Sequence, residues 1–389
     1  MLPPYDQAGS EVPNTPFWLI SAMRNVDMII VGAGFTGLRV ATKLKEENPH
    51  WGVTILEALE HGAAASSRNA GFACFGSPGE LMSDINEMGI NAAADLLSQR
   101  FQGIEALKSD MITHGLSISA EGGTEVFDIR DRASYDGIAS RWDTLQELWE
   151  RAGLPADLWE SKRLDGLPGT LFHSGFRTNY EFGIDPQEVY ASLERRAIEK
   201  GVVIRRGVNV GEIESSSIGI HVTTSAGTWK CDQLALCTNS GNTAFTWKDI
   251  YPGRGQIVVT QRLSDMPFEG NYHVDRGYYY FRSLGDRLLL GGGRHLFMEN
   301  EKTRELKTSE EVLNHLKNYL DEILLPQTEV GIEYAWSGTM AFHEAGGKMP
   351  LIDSPERGVY RCVGFGGMGV ALSNSAAMKL SSMILNDRS

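Results

Sequence analysis

One short run does most to limit what this chain can fold into: Val31-Gly32-Ala33-Gly34-Phe35-Thr36-Gly37. The apolar stretch Met28-Ile29-Ile30-Val31 leads into it, the helical pattern Leu38-Arg39-Val40-Ala41-Thr42-Lys43-Leu44 leads out, and Val53-Thr54-Ile55-Leu56 follows, closing on Glu57. The pattern is strand, turn, helix, strand, with an acid at the tip of the second strand. Gly32 permits the tight turn, Gly34 lets backbone approach a pyrophosphate, and Gly37 lets the helix pack close to the strand. The first N–H groups and the positive end of the helix then face the phosphates. A lone G-x-G-x-x-G is weak evidence, but with all four flanking elements present it predicts a bound dinucleotide. Glu57 suits a free ribose 2′-hydroxyl and repels a 2′-phosphate, which leaves NAD or FAD and disfavours NADP.

The 389 residues are too many for one ordinary core and predict two domains. A formal net charge of −14, with no basic run longer than Arg205-Arg206, excludes a nucleic-acid binder. Cys74, Cys231, Cys237 and Cys362 form no CxxC pair, and the histidines show no HxH or HxxxH spacing, so neither predicts a metal site. No apolar run approaches the ~20 residues of a membrane span. The first residues lack the basic start and apolar middle of a signal peptide. Free thiols and the missing leader predict a cytoplasmic protein.

Residues 1–25 read as an irregular arm, with Phe17, Trp18, Leu19 and Ile20 as its docking residues. Residues 85–152 read as mainly helical, with Leu96, Leu97, Phe101, Ile104 and Leu107 at helical spacing. Gly183-Ile184-Asp185-Pro186 starts another helix, and strands are predicted around Val202, Gly219 and Gln233. Ile257-Val258-Val259, Tyr278 to Phe281 and Leu288 to Leu290 read as antiparallel strands, the last two joined by the turn at Gly285-Asp286. Thr308 and Glu311 form a capping box ahead of a helix. The strand Val359 to Val363, the run Gly364-Phe365-Gly366-Gly367-Met368-Gly369 and a helix from about Val370 repeat the opening theme. These patterns predict an α/β fold. Its discontinuous cofactor-binding domain comprises residues 26–90, 180–247 and 346–389. A substrate domain, residues 91–179 and 248–345, is built on an antiparallel sheet plus helices.

The chain resembles the FAD-dependent oxidoreductases of the D-amino-acid oxidase superfamily, and most of all their glycine, sarcosine and γ-glutamylputrescine oxidase branch. The motifs occur in the family's order: VGAGFTG, LEA at Leu56, ASSRNAGF at Ala65, GIDP at Gly183, GVVIRRGVNVGEIE at Gly201, CTNS at Cys237, GRGQ at Gly253, YYFR and DRLLLGGG from Tyr279 to Gly293, and GFGGMGVALS at Gly364. The resemblance implies an FAD-binding Rossmann-like domain of the GR2 type. It places Gly32, Gly34, Phe35, Thr36, Gly37, Glu57 and Ala58 on the nucleotide, with Glu57 on the adenosine ribose and Val210 presenting its backbone to adenine. Ser66, Ser67, Arg68, Asn69, Ala70, Gly71 and Phe72 would line pyrophosphate and flavin. Thr238, Asn239 and Gly338 are carried over as further cofactor contacts. Gly366, Gly367, Met368, Gly369 and Val370 would face the flavin's pyrimidine oxygens, where a helix N-terminus stabilises the charge of reduced flavin.

Three departures from the family pattern shape the expected chemistry. Asn69 and Met340 stand where attaching His and Cys residues would be, which implies noncovalent FAD. The Trp336-Ser337-Gly338-Thr339-Met340 segment lacks the arginine that anchors a substrate carboxylate. Leu288-Leu289-Leu290 lacks the lysine that speeds reaction with oxygen, leaving oxygen or another acceptor open. The expected activity is oxidation of an amine or N-substituted amino compound at its C–N bond to an imine, with α-amino or N-methyl amino acid oxidation as the alternative. An NAD-dependent dehydrogenase and a redox-inactive flavin-binding protein are the competing classes, the former disfavoured by the extra glycine segments. Tyr278, Tyr280, Phe281, Trp336 and Phe342 are candidate walls of an apolar substrate site. Alternation puts Tyr278, Tyr280 and Arg282 on one strand face; Tyr280 and Arg282, with Met340 at the position where the resemblance implies an arginine, are the candidate catalytic residues. Arg282 reads either as a polar anchor or as a solvated edge arginine, and His343 either as a base or as a loop histidine.

Overall fold

The computed structural model describes residues 26–59, 65–163, 171–216, 219–241 and 247–387. The N-terminal arm and Ala63 and Ala64 of the small-residue stretch lie outside them. Strand β1 (Val26–Val31) enters the glycine turn, α1 (Phe35–Glu47) leaves it, and β2 (Val53–Leu56) returns parallel to β1. A single turn, α2 (Ala65–Arg68), precedes the two-residue strand β3 (Phe72–Ala73). Helices α3 (Pro78–Met88) and α4 (Ile90–Thr113) follow, then β4 (Ile118–Asp128), α5 (Arg132–Ala139), α6 (Trp142–Arg151), β5 (Glu160–Arg163) and β6 (Phe172–Ile184). Asp185 caps α7 (Pro186–Glu199) by accepting from the amides of Gln187 and Glu188, with Pro186 at the first helical position. Next come β7 (Val203–Arg205), β8 (Val210–Ser216), β9 (Gly219–Thr224) and β10 (Gly227–Leu236). The next strands are β11 (Ile250–Thr260), β12 (Asn271–Val274), β13 (Tyr279–Leu284) and β14 (Arg287–Gly292). The chain closes through α8 (Glu310–Tyr319), β15 (Ile332–His343), β16 (Leu351–Glu356), β17 (Val359–Val363) and α9 (Gly369–Asn386).

The described strands form two sheets. The first has the order β16-β17-β10-β1-β2-β7, with β9 on β10 and β8 on β9. Its central strands are parallel, and the paired stretches 28–31, 53–56 and 233–236 are buried on both faces and mainly apolar. They come from the beginning, middle and end of the chain. The second sheet runs β15-β11-β14-β13-β12-β4-β6-β3, with β5 on β6. One of its faces packs Val258, Phe281, Leu288 and Leu290 beneath Val312, Leu316 and Leu320 of α8 and its continuation. Its other face packs Ile257, Val259, Leu289 and Tyr280 against Phe72.

The structure corrects four local expectations. The predicted helical region 85–152 contains a full strand, β4, whose bulges at residues 119–123 and buried Glu125 hide its alternation. The cap of α8 is Ser309, not Thr308: its hydroxyl accepts from the Val312 amide at 3.4 Å. Tyr278 precedes β13 in a turn whose Asp275, Arg276 and Gly277 all have positive φ, and its ring is 42% exposed, so it shares no strand face with Tyr280. Phe281 points to the α8 side, stacked on Tyr272, and is core.

Candidate functional site

The glycine turn shows why each glycine is required. Gly32 has φ +105°, and a Cβ there would crowd the Cys237 carbonyl at 2.5 Å. One on Gly37 would overlap the Gly32 carbonyl oxygen. At Gly34 the first obstacle is the Ser66 hydroxyl, at 3.0 Å, so this position presents bare backbone outward. Helix α1 has no side-chain cap and no acid in its first turn. Ser66 Oγ accepts from the Phe35 amide at 2.9 Å, which brings α2 to the start of α1. Glu57 is buried, and its carboxylate accepts from the amides of Ala33 (2.7 Å) and Leu59 (2.8 Å). The acid therefore sits directly under the loop a nucleotide would approach. Thr36 is buried on α1, Ala58 is exposed beyond Glu57, and Val210 opens β8.

The end of α2 is tied to the second sheet. Arg68 donates through Nε to the Ser337 carbonyl (2.7 Å), and Trp336 Nε1 donates to the Arg68 carbonyl (2.9 Å). Asn69 braces its own turn: Nδ2 donates to the Ser66 carbonyl (2.8 Å) and Oδ1 accepts from the Gly71 amide (2.9 Å). Asn239, at φ +57°, donates to the Thr339 carbonyl at 2.8 Å. The neighbouring Thr238 hydroxyl is buried without a partner among the described residues. Across the cleft, the Gly366 amide donates to the Ala341 carbonyl (2.7 Å), and α9 begins after Met368 with no side-chain cap. The starts of α1 and α9, the bare Gly34, the buried Glu57 and the unpartnered Thr238 hydroxyl all follow the C-terminal ends of the parallel strands of the first sheet. This donor set fits a dinucleotide with an anionic ring system at its far end.

The three candidate catalytic residues separate. Arg282 is 3% exposed, and its guanidinium donates to the carbonyls of Gly71 and Ile184 and to Ser119 Oγ (3.0 Å). Burial lowers its pKa to about 10. It is neither a solvated edge residue nor a free anchor, because its two Nη groups hold the Gly71 segment to β6 and β4, while Nε is buried without a partner among the described residues. Tyr280 lies against Phe72 edge-on, and its phenol lies over the bare backbone of Gly291; burial pushes it up to about 12. Met340 pairs with Gly253 across β15 and β11, and its methyl lies 2.9 Å from where a Gly255 Cβ would stand. Gly338 pairs with Gly255 and faces Arg68. His343 is not in a loop: it ends β15, with Nε2 3.0 Å from the Gly364 carbonyl oxygen. Phe342 lies with its ring edge 3.9 Å from the Cβ position of Gly366.

Sequence reasoning missed Arg294. It follows the Gly291-Gly292-Gly293 triplet, and its guanidinium lies over the Phe342 ring at 4.1 Å. The available signal was a cation immediately after a glycine triplet at a strand end.

These features define a flavin-dependent oxidoreductase. The model of the FAD dependent oxidoreductase family, DAO, matches residues 27–383, and the chain belongs to that family. FAD is thus its cofactor. The chain is 25% identical over 396 residues to "Probable oxidoreductase OrdL" of Rhizobium meliloti (strain 1021), covering 96% of this chain and 86% of that protein. It is 24% identical over 402 residues to the gamma-glutamylputrescine oxidoreductase of Escherichia coli (strain K12), covering 98% and 88%. Its fold matches glycine oxidase from Geobacillus kaustophilus with a TM-score of 0.73 at 18% identity, covering 93% and 95%. No helix among the described residues is long and apolar enough to cross a membrane.

Proposed function

We propose that the protein oxidises the C–N bond of an amine or N-substituted amino compound to an imine. Residues 26–90, 180–247 and 346–389 serve as its FAD-binding domain, and residues 91–179 and 248–345 as its substrate domain. The observation that carries this is the glycine-floored strip Gly253, Gly255, Gly291 and Gly338, roofed by Tyr280, Met340 and Phe342 beside the cofactor segment. Bound FAD supplies a two-electron acceptor that takes hydride from the substrate carbon. The chain's residues do the rest. Apolar and aromatic surroundings disfavour the ammonium, so the nitrogen sheds its proton before hydride leaves and its lone pair forms the C=N bond. The start of α9, which has no side-chain cap, would hold negative charge developing on the bound cofactor. Water then adds to the imine, giving carbonyl and amine. The named activities of the gamma-glutamylputrescine oxidoreductase and of the fold neighbours glycine oxidase and iminodiacetate oxidase support a C–N donor. Four free cysteines suit the reducing cytoplasm.

The test is anaerobic mixing of the purified yellow protein with amines, polyamines and N-methyl amino acids. Bleaching of the flavin by at least one of them is the expected result. A flavin that dithionite bleaches and no amine reduces would mark a passive flavin binder.

A further inference from the structure

Cross-strand pairing puts Gly291, Tyr280, His273 and Glu125 in one row, on β14, β13, β12 and β4. Side chains paired in this way share a face. Phe72, two residues beyond the Ala70 of the cofactor segment, covers that face, edge-on to Tyr280 at 5.5 Å and to His273 at 5.6 Å. His273 Nε2 lies 2.7 Å from Glu181 Oε2 on β6. A carboxylate only accepts, so in the neutral imidazole Nε2 carries the proton and Nδ1 keeps the lone pair. Nδ1 has no partner among the described residues. Of the two, His273 keeps more surface open, 6% against 1% for Glu181. Behind the pair runs a line of acids that ends in solvent. Glu125 accepts from the Gly79 amide at 2.7 Å, Glu80 and Asp84 on α3 are each held by Arg100 of α4 at 3.1 Å, and Lys348 joins Asp84 (2.5 Å) to the exposed Glu87 (3.1 Å). Burial alone would lower His273; Glu181, with Glu125 and Glu80 behind it, outweighs burial and holds the imidazole above its usual 6.5. The neighbouring groups keep their own protons: burial pushes Tyr280 up to about 12 and the Cys74 thiol well above its ordinary value.

We propose that His273, oriented by Glu181, is the base that takes the proton from the substrate's ammonium. The inference rests on the amine-oxidising reading of this cleft, which requires a neutral nitrogen before hydride leaves and names no acceptor for the proton. In the step, one N–H bond of the ammonium breaks, its electron pair stays on nitrogen, and the proton adds to Nδ1, so imidazole becomes imidazolium with no change of oxidation state. The Nε2 proton stays on its bond to Glu181, whose carboxylate balances the new charge. The imidazolium returns its proton to water after the products leave. Glu181 is a positioning residue: it fixes which nitrogen is basic and how basic it is.

The experiment uses the FAD-loaded enzyme in three forms: native, His273→Gln, which keeps a donor for Glu181, and Glu181→Gln, which keeps an acceptor for Nε2. Anaerobic flavin reduction by N-methylbutylamine, putrescine and sarcosine is followed from pH 6 to 10. The second-order rate of the native enzyme should climb through a limb above pH 6.5 and level off. H273Q should be on the order of 100-fold slower at pH 7, the loss of a general base. Its deficit should close towards pH 10, where solution itself supplies neutral amine. E181Q should move the limb to lower pH, because the acid that raises His273 is gone. Without any amine, the oxidised flavin spectrum should show one pH transition in native that is absent from H273Q and shifted down in E181Q. An H273Q deficit that stays constant from pH 6 to 10, or limbs and spectral transitions equal in all three forms, would overturn the inference and leave His273 as packing against Phe72. If H273Q takes up no FAD, E181Q decides, and an unmoved limb overturns it. If no amine reduces the native flavin, the amine-oxidising reading falls and this inference with it, a result read from the native protein alone.

Discussion

A side chain added at Gly37 would overlap backbone, whereas one added at Gly34 would meet only the Ser66 hydroxyl, so the two glycines should fail differently. Gly37→Ala should lower the melting temperature and flavin content together. Gly34→Val should fold and lose FAD; a purified Gly34→Val protein with normal flavin content would place the pyrophosphate elsewhere. Glu57→Ala removes the acceptor of two amides and the ribose partner that the resemblance implies, and should weaken FAD binding by about 1.5–3 kcal/mol, read by flavin titration. Arg282→Met should cost stability and flavin retention, because it releases the Gly71 carbonyl, while leaving KM of the bound enzyme nearly unchanged. The sequence made Gly32, Gly34, Gly37 and Glu57 legible because their spacing is local and each has one physical job. It did not make Arg282 or Arg294 legible. Both are arginines near a strand end in the same hairpin, and only tertiary contact shows that one is held by carbonyls and the other lies over the Phe342 ring.

At the scale of elements, strand and helix starts marked by proline and glycine were readable, as at α7 and the Gly285-Asp286 hairpin. Strand β4 was not, because what it buries is charge. Its Glu125 is fully buried, accepts from the Gly79 amide at 2.7 Å, and faces His273, which is bound to Glu181 at 2.7 Å. Burial pushes Glu125 up to about 7, against the pull of the Gly79 amide and His273. A raised acid pKa favours the folded state below the unfolded value near 4.5, and that stability is lost as pH rises toward 7. Glu125→Gln keeps an acceptor for Gly79 and removes the charge. It should match native stability near pH 4 and exceed it by up to about 3 kcal/mol at pH 8. Denaturant melts at both pH values read the difference; equal offsets at both would show that Glu125 ionises freely. Helix packing has its own cue: Gly103 on α4 lets the Ala371 backbone of α9 approach so closely that a Cβ would overlap its carbonyl oxygen.

At the scale of the whole molecule, the first sheet is assembled from three separated stretches of chain, so its order could be read only by joining motifs that the sequence scatters. Asn69 is engaged with its own turn and Met340 has no thiol, so FAD should be held without a covalent bond. Acid precipitation should leave the yellow colour in the supernatant; flavin in the pellet would refute it. FAD at a hundredfold excess over its Kd should raise stability by about 2.7 kcal/mol relative to flavin-stripped protein.

The bonds from Arg68 to Ser337, Trp336 to Arg68, Asn239 to Thr339 and Gly366 to Ala341 join the two sheets through protein atoms alone. None of the four asks for a nucleotide. These seams are closed by the polypeptide itself, so the chain should be able to fold first and take up its cofactor afterwards. A preparation stripped of colour should therefore regain it on the bench from FAD and buffer, with no unfolding step and no helper protein.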